Sequence, residues 1–262
     1  MIKKALLAVT LVCGMSASLA AAPLEILFAY ENREQPPYYI GNTSRILPKP
    51  GVAVEMIMQL EKWVPDLEIS LERHLWQRCK KKLQSGRIDG IFNASFKPER
   101  LTIGTYPMKN GEVDPSRRIT TISYSLYKLR SSPVRYDGKN ITRLTGKIGA
   151  PRGYSIVGDL KKKGFAVEES DATALGHFKN LLSGWVKALA MQDITADALL
   201  KKRADQFEDI VKIYPPLATK PYYLMLSHKF VDKHPALAEK IWNAIAKIRK
   251  KEMDSIVRKY AE

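Results

Sequence analysis

IDGIFNASFKPERLTIGTYP, residues 88–107, opens on an apolar run and closes on a proline, with a guanidinium between them. Ile88 to Phe92 reads as a short buried strand. Past it the chain turns small and polar through Asn93 and Ser95, then delivers Arg100. This admits two readings. In the first, Arg100 lies on the surface and starts the next helix, since most arginines stay exposed. In the second, Ser95 and Arg100 form an anion clamp. The planar guanidinium can donate two parallel hydrogen bonds to a carboxylate, and the serine hydroxyl adds another donor.

The segments before this strand give it a context. LEILFAY (24–30) is a strand, GVAVEMIMQLEKWV (51–64) has helical recurrence after a Pro-Gly break, and LEISLE (67–72) alternates as a strand. RHLWQRCKKKLQSG (73–86) is an amphipathic helix ended by Gly86. On four-residue spacing, Leu75, Cys79 and Leu83 share its buried face, which makes Cys79 a packing thiol. Trp76 is read as packing too. Strand, helix, strand, helix, strand is the order of a parallel sheet covered by helices.

After Pro107 a turn-rich segment leads to ITTISYSLYKL (119–129), a long strand. A second series opens with GKIGAPRGYSIVGDLKKKG (146–164): strand, glycine loop, helix. FAVEE, WVKALAM, DIVKIYP and PYYLMLS follow as strands. DATALGHFKNLLSG and TADALLKKRA are helices between them, and two helices close the chain. The halves echo each other at LQSG and LLSG, each a helix ending before a buried strand. The expected fold is therefore α/β and two-lobed, each lobe a mostly parallel sheet flanked by helices, joined by two hinge crossings near Ile119–Thr121 and Leu217–Pro221. Lobe I takes residues 21–119 and 220–262, and lobe II takes 120–219. Open α/β sheets bind ligands outside the carboxyl ends of their strands, which puts Arg100 in the cleft.

The first twenty residues read as a cleaved secretory signal: a basic MIKK, eleven apolar residues, then SASLA with cleavage after Ala20. Loss of Lys3 and Lys4 would take the net charge from +16 to +14. No later apolar run reaches the roughly 18 residues of a membrane helix. One cysteine remains after cleavage, so no intramolecular disulfide can form. The positive charge is interspersed with acids and carries no basic tail, which argues against nucleic acid and for anionic solutes or membrane surfaces. The expected product is a soluble exported protein, a monomer.

Taken together and in order, the motifs resemble the family 3 extracellular solute-binding proteins, the periplasmic receptors of polar amino acid ABC transporters. The resemblance spans 24–262. KLQSGRIDGIFNASFKPERLTIGTYP supplies the family's Leu83, Gly86, Asp89, Ser95, Arg100 and Pro107, and LTGKIGAPRGYS looks like its second-lobe glycine loop. The resemblance implies that Arg100 and Ser95 hold a ligand carboxylate and that Ser155, beside Tyr154, contacts it from lobe II. Ser155 alone could equally cap its helix. The family's ammonium-binding aspartate falls on Gln192 by count, with Asp193 one residue later. A neutral Gln192 weakens an α-amino acid ligand and Asp193 preserves it. In YENREQPPYY the usual aspartate–aromatic spacing is missing, although Tyr30 and Glu31 can reach the cleft, Tyr30 as a stacking ring or a core residue. The stretch from Asp89 to Arg100 is one residue shorter than is usual.

The histidines have no metal-ligand spacing, and no phosphate loop, dinucleotide glycine pattern or nucleophile elbow occurs. Glu168, Glu169 and Asp171 read as a solvated helix start. No metal or cofactor is expected. The function that follows is capture of a small carboxylate-bearing solute, a polar amino acid or relative, for a membrane permease. One alternative is a periplasmic enzyme on the same scaffold, resembling cyclohexadienyl dehydratases, with Glu31 or Asp193 as acid–base. Another is the ligand-binding partner of a membrane sensor.

Overall fold

Leu24–Glu31 (β1) is fully buried at Ile26, Phe28, Ala29 and Tyr30. Burial on both faces is what a parallel strand under helices requires. β1 is followed by α1 (Val52–Met58), α2 (Leu60–Trp63), β2 (Leu67–His74), α3 (Trp76–Gln84) and β3 (Gly90–Ser95). Two short pairs, β4 (Met108–Lys109) with β5 (Glu112–Val113) and β7 (Arg135–Tyr136) with β8 (Ile141–Thr142), flank the long β6 (Thr120–Leu129). The second series is β9 (Ile148–Pro151), α4 (Ser155–Lys162), β10 (Val167–Ser170), α5 (Ala174–Leu182), β11 (Ala188–Gln192), α6 (Asp193–Lys202) and α7 (Ala204–Phe207). β12 (Ile210–Leu226), α8 (His228–Lys233), α9 (Pro235–Lys251) and α10 (Met253–Arg258) complete the fold. This computed structural model describes residues 22–170 and 173–260. The leader expected over 1–20 and Asp171 lie outside the described residues.

The main strands form one curled sheet in the order β10-β9-β11-β6-β12-β3-β1-β2. β1 pairs in parallel with β2 and β3, and β9 with β10 and β11. β6 and β12 are antiparallel and run through the middle. Two lobes result. One buries Ile26, Phe28, Val54, Leu224 and Trp242 together, and the other buries Ile122, Tyr124, Ile148, Ile156 and Tyr222. The change of core along β6 falls between Ile119 and Ile122, where Ile119 N–H donates to the Tyr222 carbonyl at 2.7 Å.

Three local expectations shift. The strands read at 209–215 and 221–227 are one strand, β12, whose register slips between Ile213 and Ala218. Pro215 and Pro216 fall within that slip, where no regular ladder bond is asked for, whereas Pro221 stays in register opposite Thr121. The strand read at 88–92 lies at Gly90–Ser95, since Ser95 and Ala94 pair with Tyr222 and Tyr223 of β12. On α3, Leu75 is the residue before the helix and is 46% exposed, so the buried stripe is Trp76, Cys79 and Leu83. The Cys79 thiol points at the carbonyls of Tyr30 (3.4 Å) and His74 (3.6 Å). Burial, with Glu31 next in weight, pushes that thiol up to about 12, out of reach of thiolate chemistry.

Candidate functional site

The end of β3 is distorted. Asn93 adopts a left-handed φ of 55°, which asparagine tolerates better than most residues, and the partner strand slips register between Tyr223 and Met225. The distortion delivers Asn93 and Ser95 to the wall of a cavity of about 330 Å³ that both lobes line. Asn93 is 8% exposed, and its amide makes no well-formed hydrogen bond among the described residues, with only the Tyr39 hydroxyl close beside it. Such a group costs stability unless something fills it.

Arg100 sits in the tight turn Pro98–Thr102 and is buried, so the surface reading fails. Its Nη1 donates to the Ser95 carbonyl (2.8 Å) and to Ser95 Oγ (3.2 Å), and its Nη2 donates to the Gly153 carbonyl of lobe II (3.2 Å). Tyr106 donates to the same Ser95 carbonyl at 2.8 Å, pinning the turn. The guanidinium carbon stands 5.7 Å from the centre of the Trp76 ring, and Trp76 lines the cavity as well as packing in the core.

On the lobe II side, Gly153 has φ 74°, and a Cβ there would come within 2.2 Å of Gln77 Nε2. The left-handed φ favours glycine, and a larger residue would also displace the Gln77 side-chain end. Tyr154 is the residue that caps α4 and Ser155 is the first helical residue, so Ser155 does not act as a side-chain cap. Its hydroxyl instead accepts from Lys220 Nζ at 3.1 Å and lines the cavity. The Tyr154 hydroxyl donates to Glu31 Oε2 (2.5 Å), and Gln35 Nε2 donates to both of them, at 2.6 and 2.9 Å. Burial first, then the adjacent Glu31 charge, holds the Tyr154 hydroxyl well above the usual tyrosine range, so it stays a donor. Glu31 is the carboxylate of this cavity's lining.

β11 ends at Gln192. Its Nε2 donates to the hydroxyls of Tyr124 and Tyr222 (3.3 Å each), which bond one another at 2.7 Å, while its Oε1 is buried without a hydrogen-bond partner among the described residues. Seven residues singled out in the sequence thus converge on one cavity: Glu31, Asn93, Ser95, Arg100, Tyr154, Ser155 and Gln192. Two do not. Tyr30 packs in the lobe I core against Tyr39 and Phe92, with Arg73 4.9 Å over its ring. Asp193 starts α6 and is held by Lys212 at 2.9 Å. Glu168 and Glu169 pair with Lys147 and Lys161, away from the cavity.

Sequence reasoning missed Gln35, Tyr39, Ile122, Tyr124 and Tyr222 as lining residues. It also missed Asp159 of α4, whose two carboxylate oxygens take Lys97 of lobe I and Lys220 of β12. Burial works against that carboxylate, but the two ammonium groups outweigh it and hold its pKa below the ordinary aspartate value. Nothing but tertiary pairing marks these positions.

No protein-family model matches the chain, and no curated protein matches it by sequence. Solved structures do match in fold. A histidine kinase sensor domain with similarity to periplasmic binding proteins superposes with TM-score 0.70 at 16% identity, covering 90% of this chain and 96% of that one. The arginine-, lysine-, histidine-binding protein ArtJ from Geobacillus stearothermophilus gives 0.70 at 16%, covering 91% and 95%. An ancestral arginine-binding protein bound to arginine gives 0.69 at 18%, covering 91% and 98%. The fold is the periplasmic-binding-protein-like fold.

Proposed function

We propose that this chain is a periplasmic receptor that closes lobe I (21–119 and 220–262) and lobe II (120–219) over a small solute carrying a carboxylate, an amino acid or close relative, and delivers it to a membrane permease. The observation that carries the reading is the Arg100 guanidinium, buried between the lobes at one side of a cavity that both of them line. Beyond the cation, the cavity wall offers acceptors: the Glu31 carboxylate, the Asn93 amide and the Gln192 carbonyl. Donors and acceptors on one cavity wall suit a zwitterion, so the ammonium would be met from Glu31 rather than from Asp193. Trp76, Tyr39, Tyr124, Tyr154 and Tyr222 supply apolar contact. Residues 1–20 would be the export signal, and the crossings near Ile119–Thr121 and Leu217–Pro221 the hinge.

Calorimetric titration with the twenty amino acids and their deaminated analogues tests the reading. A saturable ligand whose affinity collapses in Arg100→Ala is the expected result. An unchanged affinity for that ligand would remove the clamp. A second reading, the ligand-binding module of a membrane sensor, is favoured by the likeness to a histidine kinase sensor domain. Capture of a kinase rather than a permease would select it. An enzyme on this scaffold would have to rely on Glu31, because Asp193 lies outside the cavity.

A further inference from the structure

On the other side of Arg100 lies a second space between the lobes, of about 540 Å³. Lys80, Lys97, Glu99 and Arg100 line it from lobe I, and the Gly153–Ser155 turn lines it from lobe II. Arg100, Tyr154 and Ser155 border both spaces, which makes the guanidinium a partition rather than an end wall. Lys80 lies one helical turn beyond Trp76 on α3, and its Nζ is 3.3 Å from where a Gly153 side chain would begin. The ammonium therefore reaches across to lobe II.

The charges in this space do not balance. Lys97 is matched by Asp159, and Arg100 is bonded to neutral oxygens. Glu99 is exposed, and the oxygens of Glu169 are taken by Lys161 and by Gly153 N–H. Lys80 makes no hydrogen bond or ion pair among the described residues. Burial, then repulsion from Arg100, lowers its pKa to about 8, against a weaker pull from Glu169. Two cations meet in this partly buried space with no carboxylate bonded to either, and an anion placed between them would offset their repulsion.

We propose that this space is an oxyanion subsite, in which Lys80 and Arg100 together hold a carboxylate or phosphate group. The oxyanion is either a second acidic group of the captured solute or an inorganic anion admitted beside it. Only the first source rests on the receptor reading above.

The test is titration of wild type, Lys80→Met and Arg100→Met with matched pairs (L-glutamate and L-glutamine, L-aspartate and L-asparagine, succinate and butyrate) and separately with inorganic phosphate. If the solute supplies the group, wild type prefers the diacid of a pair by roughly tenfold or more, and Lys80→Met erases the preference while leaving the monoacid's affinity intact. If an inorganic anion supplies it, phosphate binds wild type without any solute, and Lys80→Met abolishes this. In either case the effect fades as pH rises through the Lys80 titration, which a merely structural lysine would not cause. Wild type that binds none of these anions, or Lys80→Met that binds them all as wild type does, overturns the subsite. Monoacid binding that survives in Arg100→Met while the preference for the diacid is lost there overturns the clamp and spares the subsite; a preference that survives in Arg100→Met removes Arg100 from the subsite and overturns it.

Discussion

Arg100 donates a hydrogen bond of 3.2 Å to the carbonyl oxygen of Gly153, so the cation of one lobe is seated on the backbone of the other. Its other hydrogen bonds among the described residues go to Ser95, in its own lobe. The same group can therefore hold a solute and hold the lobes together. Removing one partner of a buried charged pair costs about 3–5 kcal/mol, so Arg100→Ala should weaken solute binding by at least about a hundredfold. Arg100→Lys should recover little of this, because an ammonium cannot reach Ser95 and Gly153 in one plane. Calorimetry on both variants checks it, and full recovery by lysine would contradict the fork geometry.

Gly153 faces the Gln77 side-chain amide across the cleft, and a methyl group there would have to displace that amide. Gly153→Ala should strain the turn by about 1–2 kcal/mol and push the lobes apart as well. Affinity should fall more than thermal stability does. Adding Gln77→Ala should restore part of the affinity, since it removes the clash and leaves the strain. A double mutant no better than the single one would mean that the loop and α3 do not close against each other.

Asp159 ties three segments together through Lys97 and Lys220. Its folded-state pKa is depressed, so its contribution to stability is fully present above the unfolded value of about 3.9 and is lost as pH falls through the folded one. Asp159→Asn leaves two ammonium groups facing each other at the crossing. The unliganded protein should then spend more time open, read as a larger radius of gyration by solution scattering. An identical scattering curve for the two proteins would rule out a role in closure.

Lys80 has the same pH sign in a higher window, but there the charged form is the penalised one. Its pKa of about 8 in the folded protein lies below the ordinary value of about 10.4. Between those two values the unfolded chain holds a proton that the folded chain lacks, so this group makes stability rise with pH across that window. Below it the folded state carries a desolvated charge in full. Lys80→Met should raise the urea midpoint at neutral pH, and the gain should vanish above the window. Equal midpoints at neutral pH would show that the ammonium is well solvated.

How much of this could be read beforehand depended on whether the information was local. The helices ending at Gly86 and Gly184 and the arginine after the buried strand are short-range patterns, and all three stand where they were expected. Choices between adjacent residues were not local. Tyr30 and Glu31 both belong to a strand covered on both faces, so alternation could not say which one meets the cleft. Gln192 and Asp193 straddle the end of β11. The pairing of Gln192 with Tyr124 on β6 decides that the first turns toward the cavity and the second toward Lys212. The continuity of β12 through PPLATKP was hidden because prolines usually announce a loop, and only its partner β6 reveals the bulge that takes in Pro215 and Pro216 and the pairing that continues through Pro221.

Ile210–Leu226 belongs to both lobes at once, bonding β6 along one stretch and β3 along another. Neither half could therefore be produced as a complete unit from a contiguous piece of the gene. A fragment ending before residue 210 would leave two strands with bare, adhesive edges. Co-expressing such a fragment with the remainder should rescue its solubility, because the missing strand would arrive from outside.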